Sequence, residues 1–314
     1  MLSLHTNNAA LSAQSSIGQT QSKLTTSMTR LSTGYRINSA MDDAAGLQIA
    51  TRLKAQSSGM AVAMRNTQNS ISMMQTAEGA LDEVTNILSR MKDLATQAAD
   101  ASSSDDDRTA MQSEYSSLTD ELSNIVKNTG FGGTTLLNNS DGKFKDSVTF
   151  QIGAGKDETM ELDIGTSLTT MHKDIYKAAG GFDGGSISDD GGTTNWTAAG
   201  ISGKELTKTT VADDGVDGTG TENANATIDR LKTAIESVSK VRSSLGAAAN
   251  RLDHVYNNLS NVSSNTAAAT GRIMDVDFAT ESSNMTSKQM LLQAGTAMLK
   301  QTNSMSSMVM SLLQ

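Results

Sequence analysis

The chain has no cysteine and no proline in its 314 residues, and aromatic residues make up only 3% of it. Without cysteine there are no disulfides, no thiolate nucleophile and no thiolate metal ligand, a condition compatible with any redox compartment. Proline would usually number about sixteen in a chain of this size. Its absence means that no helix carries a proline kink and that refolding meets no slow prolyl isomerisation. That suits a protein that travels unfolded and then folds promptly into long helices. An apolar share of 37% with few aromatics is poor material for one thick globular core, and fills long, thin helical seams more readily. No run of about 18 apolar residues exists, so no membrane insertion is expected. The opening MLSLHTNNAALSAQ lacks the basic and continuous apolar regions of a Sec signal, so export would use another route. The formal charge of −9 argues against nucleic acid as a partner, because phosphate neutralisation needs clustered Lys and Arg.

What the chain does have is period. Leu4, Leu11, Ile17, Leu24, Met28 and Leu31 recur at spacings that are mostly three, four or seven, which predicts a helical stripe of coiled-coil type. Gly34 ends it, and Tyr35 to Asp43 reads as a connector. A longer helix follows, with Met74, Leu81, Leu88 and Ala95 on one heptad row and Ala77, Val84, Met91 and Ala98 on the next. Ser102 to Asp107 breaks it, and Asp105, Asp106 and Asp107 place negative charge where the dipole of a new helix favours it. That helix carries Met111, Tyr115, Leu118, Leu122 and Ile125.

Between Gly130 and Gly165 the period falls to two. Val148, Phe150 and Ile152 alternate with polar residues, as do Met160, Leu162 and Ile164, and Asp141-Gly142 is a tight-turn signal upstream; two small β-hairpins are expected. Residues 166–221 are rich in Gly, Asp, Ser and Thr and hold no period. They read as a short surface insert with at most a small core around Tyr176, Phe182 and Trp196. Replacing residues 180–215 by a Gly/Ser linker is expected to spare the rest. Helical period then returns in Ile228, Leu231, Ile235, Val238, Leu245, Leu252, Val255, Leu259 and Val262, with Arg242 and Ala249 in the seam. Some 40 such residues make a helix of roughly 60 Å. Lastly, Phe278, Met285, Leu292, Leu299 and Leu313 share a heptad row, and Leu291, Met298, Met305 and Leu312 the adjacent one.

The fold expected is mostly α: long paired coiled-coil helices from both chain ends, two small β-hairpins and a short irregular outer insert. Residues 1–40 with 272–314 form the terminal coiled-coil domain, 41–165 with 222–271 the helical rod with the hairpins, and 166–221 the variable insert. The terminal helices are polar on most faces, so residues 1–40 and 272–314 are expected to order only on assembly.

Between the heptad positions the chain carries residues that a coiled coil does not ask for. The run Arg30-Leu-Ser-Thr-Gly-Tyr-Arg-Ile-Asn-Ser-Ala-Met-Asp-Asp-Ala-Ala-Gly46 resembles the N-terminal signature of the bacterial flagellins nearly residue for residue. Phe278-Ala-Thr-Glu-Ser-Ser-Asn-Met285, Gln293-Ala-Gly295 and the closing Ser311-Leu-Leu-Gln314 resemble the C-terminal signature. The two ends together cover around 220 residues. One departure is Ser306, where many relatives carry a proline. The resemblance implies a structural subunit that self-polymerises into the bacterial flagellar filament for motility, exported unfolded by the flagellar type III apparatus and located outside the cell in the flagellum. It implies a terminal domain in the inner layer of the tube and the helical rod in the outer one. It further implies a flagellar export chaperone, cap and hook-junction proteins as partners. The polymerisation seams would be Leu4, Leu11, Ile17, Leu24, Leu31, Phe278, Met285, Leu292, Leu299, Leu312 and Leu313. The alternative is a hook–filament junction protein or another coiled-coil module that does not polymerise.

Catalytic, metal and cofactor readings find little support. His5, His172 and His254 are scattered and no zinc-binding HExxH helix exists. Gly155-Lys156 has Phe150 and Asp157 where a phosphate loop needs Gly and Ser or Thr. Asp213 to Gly218 resembles a calcium loop, but Gly215 falls at a ligand position and Ala224 where a bidentate Glu belongs. The methionines crowding the last helix (Met285, Met290, Met298, Met305, Met308 and Met310) are better read as adaptable packing than as a soft-metal site. No enzyme activity, metal or cofactor is expected. Arg90, Leu94 and Gln97, at spacings of four and three with Leu94 on the shoulder of the seam, match positions that the innate Toll-like receptor for flagellin recognises in the family, together with Glu114. Lys92 and Asp93 depart conservatively from the usual Arg and Glu there.

Overall fold

A computed structural model describes residues 7–179, 204–207 and 219–312, with side chains as far as Ser304. The chain order is α1 (Asn8–Thr33), α2 (Ala44–Ala98), α3 (Asp105–Asn128), β1 (Gly130–Phe131), β2 (Thr134–Thr135), β3 (Val148–Gln151), β4 (Thr159–Leu162), α4 (Gly165–Ala178), α5 (Gly220–Met274) and α6 (Phe278–Leu312). Two compact units emerge: residues 1–58 with 262–314, and residues 59–261. The division therefore falls inside α2 and α5, farther from the chain ends than the expected limits of 40 and 272.

In the first unit α1 lies antiparallel against α6. Ile17 faces Gly295, Lys288 Nζ donates to Ser27 Oγ at 2.7 Å, and Gly34 approaches Phe278. A side chain at Gly295 would put its Cβ 2.9 Å from Ile17 Cγ1, so this glycine sets how closely the helices approach. α1 ends at Gly34, which takes the left-handed conformation (φ 75°) and donates its N–H to Arg30 O, a conformation that costs glycine little. The next residues are tied to the joint between α5 and α6. Arg36 N donates to Met274 O at 2.6 Å and Val276 N to Gly34 O at 3.0 Å. Tyr35 bridges Asp275, and Ile37 is buried.

Acidic residues at and beside the two signatures hold the connector and the helix starts. Asp42 Oδ2 accepts from Asn38 N and Ser39 N, and these bonds hold its carboxyl below the usual carboxylate range. Asp43 Oδ1 accepts from Gly46 N at the start of α2 at 2.8 Å. Asp277 accepts from Ala279 N and from Thr280 Oγ1 at the start of α6, which likewise lowers its pKa. Asp43 and Asp277 satisfy donors that a helix N-terminus would otherwise leave open, while Asp42 ties the connector ahead of α2.

The second unit holds one continuous apolar core. Both heptad rows of α2 are buried, as are Leu231, Val238, Leu245 and Leu252 of α5 and Met111, Tyr115 and Leu122 of α3. Each such Leu contributes about 1.5–3 kcal/mol on leaving water. Arg242, a cation on the α5 seam, reaches Asp82 at 2.9 Å and Glu78 at 3.3 Å on α2. Ser104 opens α3 with a reciprocal capping box to Asp107. Arg108, nearly buried, donates to Ala98 O, Asp100 O and Thr221 Oγ1, fastening the end of α2 and the start of α5 to α3.

The strand pairs are antiparallel, β1 with β2 and β3 with β4. In the second, Val148 pairs Leu162 and Phe150 pairs Met160, as the alternation predicts. The first pair turns at Gly132-Gly133 (φ 60° and 85°), not at Asp141-Gly142. A two-residue hairpin turn of this hand needs positive φ at both central residues, which two glycines adopt without strain. Gly142 instead sits in a loop turn, where its N–H donates to Asn138 O at 2.9 Å.

The expected insert of 166–221 also needs narrowing. Leu168, Met171 and Ile175 on α4 are buried in the core, and so is Leu206. The Gln112 amide holds the returning chain, donating to Glu205 Oε2 and accepting from Leu206 N. Both segments are short and sit among Gly, Ser and Thr, so their helical and apolar signals are diluted in any composition window. Phe182, Trp196 and the segment Asp213–Gly218 lie outside the described residues.

Candidate assembly surface

The antiparallel helices α1 and α6 carry more apolar rows than their pairing covers in the first unit. Leu24 is buried, 9% exposed, and Ile17, Leu31, Met285, Leu292 and Leu299 are half-buried. The neighbouring row is not covered. Leu291 is 59% exposed and Met298 65%, with Met290, Met28 and Ile49 exposed as well. Leu11 (67%) and Phe278 (58%), both predicted seam residues, are also open to solvent. The heptad rows were thus legible, but which of two adjacent rows stays bare depends on helix rotation, which no periodicity specifies. Met41, in the connector and off any row, carried no sequence signal; it is 97% exposed. Leu4 and Leu313 lie outside the described residues, as does the Leu312 side chain.

Such a display of large apolar side chains is costly in water and characteristic of a surface that meets another. The second unit offers a contrast: among its described residues only Val62 is a large apolar side chain in the exposed class.

The second unit carries the Arg90 set. Arg90 Nη2 and Nε both donate to Glu114 Oε1, at 2.7 and 2.9 Å, in an ion pair about half exposed at each end. Gln97 is exposed. Leu94 is not on a shoulder: it is 2% exposed and packs in the core. The helix turns 100° per residue, so a position one turn from two core rows falls inside the buried arc when α3 closes over it.

His172 is buried, and its Nε2–H donates to Leu137 O at 2.9 Å; burial lowers its pKa to about 4. His254 is exposed on α5. No group of three or more His, Asp or Glu is placed to hold a metal ion among the described residues. The Gly155 loop closes on its own residue, Gly155 N donating to Glu158 Oε2 at 2.7 Å, rather than presenting amides to a phosphate. An open groove of about 500 Å³ is lined by Asn69, Met73, Phe131, Lys143, Ser147 and Phe150 among others; the Ser147 hydroxyl donates to Glu161 Oε1 at 2.6 Å, and no histidine is among the lining residues. No described helix is long and apolar enough to cross a membrane.

Comparison with known proteins gives consistent matches. The profile of the bacterial flagellin N-terminal helical region matches residues 4–141, and that of the bacterial flagellin C-terminal helical region residues 228–313. Flagellin A of Vibrio anguillarum is 37% identical, with all of both chains covered. Polar flagellin C of Vibrio parahaemolyticus is 36% identical, again over the full length of both. Among solved structures, one assigned as a flagellar hook-associated protein from Vibrio parahaemolyticus superposes with a TM-score of 0.51 at 17% identity, covering 74% of this chain and all of that one. At that identity the likeness concerns the fold alone.

Proposed function

The chain belongs to the bacterial flagellin family, a family of structural proteins that polymerise into the flagellar filament for motility, and we propose that its subunits join through the apolar rows that α1 and α6 leave bare. The observation that carries this reading is the contrast between adjacent rows on α6: Met285, Leu292 and Leu299 are half-buried in the pairing with α1, while Leu291 and Met298 beside them are exposed. Covering a Leu of this kind gains about 1.5–3 kcal/mol, so a few per subunit offset the ordering cost of the helices. The test is seeded elongation. Leu291→Asp and Leu11→Asp should each abolish growth from filament seeds while leaving the melting of the second unit unchanged. Normal growth of both would sink the reading.

The full-length matches to flagellins favour a filament subunit over a hook–filament junction protein. Family membership and the absence of proline support export in an unfolded state by the flagellar type III apparatus to the cell exterior, with a chaperone, cap and hook-junction proteins as partners. A purely structural role without catalysis is the reading that the family supports.

A second reading concerns the innate receptor. Arg90 and Glu114 are exposed and already paired with each other, and Gln97 is exposed on the same helix. A receptor would meet a pre-formed ion pair, with Leu94 contributing only through packing beneath it. Arg90→Ala and Glu114→Ala should each lower the potency of soluble monomer on reporter cells, since losing a charged interface contact typically costs about 2–5 kcal/mol. Stability should shift by no more than ~0.5 kcal/mol, as for other exposed positions. Unchanged potency with unchanged melting returns Arg90 to an ordinary surface role.

A further inference from the structure

The chain has no cysteine but eighteen methionines, and the structure sorts them by unit. In the second unit Met60, Met73, Met74, Met91, Met111, Met160 and Met171 are all buried, and Met64 is half-buried. In the first unit Met28 (57%), Met41 (97%), Met290 (60%) and Met298 (65%) are exposed. Every exposed methionine among the described residues therefore lies in the unit that carries the bare apolar surface. These four stand beside the unit's other large exposed apolar side chains, Leu11, Tyr35, Ile49, Val262, Phe278 and Leu291.

We propose that Met28, Met41, Met290 and Met298 are oxidation sites through which peroxides and related two-electron oxygen donors switch off subunit addition. This inference rests on the reading that the first unit's bare rows assemble. The reaction needs only the oxidant. The thioether sulfur takes the terminal oxygen of hydrogen peroxide, an S–O bond forms as the O–O bond breaks, the sulfur is oxidised by two electrons, and the peroxide leaves as water. Exposure governs which thioethers react, and with no thiol in the chain none of the oxidant is diverted to cysteine. The product is a polar, chiral sulfoxide in place of a flexible apolar side chain. On a surface that must leave water, that change opposes burial, while the second unit's core keeps its thioethers shielded. The switch is reversible, because sulfoxide reductases restore the thioether.

The experiment uses the full-length monomer. It is exposed to a hydrogen peroxide series, quenched with catalase, mapped by peptide mass spectrometry, and then offered filament seeds while light scattering follows elongation. At the dose that oxidises the four sites, elongation should slow by about tenfold or more, and circular-dichroism melting of the second unit should be unchanged. Treatment with methionine sulfoxide reductases A and B should restore growth. A variant with Met28→Leu, Met41→Leu, Met290→Leu and Met298→Leu keeps apolar bulk without an oxidisable sulfur, and should lose no more than about twofold at the same dose. Normal growth of the oxidised wild type, failure of the reductases to restore it, melting that collapses in parallel, or equal sensitivity of the leucine variant would each overturn the proposal. If the leucine variant does not elongate before treatment, reductase recovery of the wild type decides. The unoxidised Leu291→Asp and Leu11→Asp proteins separate the two ideas: their normal growth would fault the assembly surface itself, whatever the oxidant does.

Discussion

His172 should make the second unit acid-labile over a defined window. The side chain is buried on α4, its Nε2–H donates to Leu137 O at 2.9 Å, and burial lowers its pKa from 6.5 to about 4. A carbonyl only accepts, so the folded state holds the neutral tautomer protonated at Nε2. The unfolded chain protonates this imidazole near pH 6.5; the folded chain does not until about pH 4. Stability is therefore complete above pH 6.5 and is lost progressively as pH falls towards 4, because the unfolded state binds the extra proton. A gap of about 2.5 pH units at 1.36 kcal/mol each gives a loss of roughly 3 kcal/mol. The measurement is urea unfolding followed by circular dichroism at pH 7.5, 6.5, 5.5 and 4.5, on wild type and His172→Gln. Glutamine keeps an N–H donor without titrating in this range, and its cost at neutral pH, about 1–2 kcal/mol, is a constant offset. The carboxylates held low by capping bonds (Asp42, Asp100, Asp107, Glu222 and Asp277) titrate alike in both proteins and cancel in the difference. The wild-type-minus-variant difference should fall by about 3 kcal/mol on acidification, so that the two curves cross. Parallel curves would refute the argument.

Two further outcomes follow from packing. Replacing residues 181–203 by a Gly/Ser linker should shift urea unfolding by no more than ~0.5 kcal/mol, whereas Leu206→Ala, which empties a fully buried site, should cost about 2–5 kcal/mol in the same assay. Gly295→Val places carbon against Ile17, which a Cβ already meets at 2.9 Å; overpacking of this kind costs about 1–3 kcal/mol, and the monomer concentration left in equilibrium with filaments should rise accordingly.

The helices were legible because their seams are long enough for period to outweigh composition. Met74 to Ala98 and Leu231 to Leu252 keep heptad spacing over several turns, and the structure buries both stretches. β3 and β4 were legible for the same reason at period two. What escaped notice was set by single contacts. α4 is only fourteen residues, and Leu206 is one apolar residue in a polar stretch, buried because the Gln112 amide captures Glu205 and Leu206 from another helix. The burial of Leu94 is not legible from α2 alone, because at the edge of a seam it depends on the neighbouring helices and not on the period of α2.

The residues that carry the family resemblance solve a problem that heptads cannot. A seam is translationally repetitive: α1 shifted by one heptad against α6 would still match leucine to leucine. The joint removes that freedom. Gly34 must take φ 75°, Asp43 and Asp277 must cap where α2 and α6 begin, and Arg36 must donate to Met274 O. A Cβ at Gly46 would lie 2.4 Å from the Asp43 carboxylate and 2.9 Å from Ile37 Cδ1, so any side chain there would have to displace the cap. Each of these contacts exists in one register only, so together they fix which heptad meets which. They thereby fix which α6 row is covered by α1 and which, through Leu291 and Met298, stays bare. If the bare row is the assembly surface proposed above, a subunit that presents it at every addition needs such a register lock more than a stronger seam, and polar and glycine residues lie where a coiled coil alone would accept almost anything.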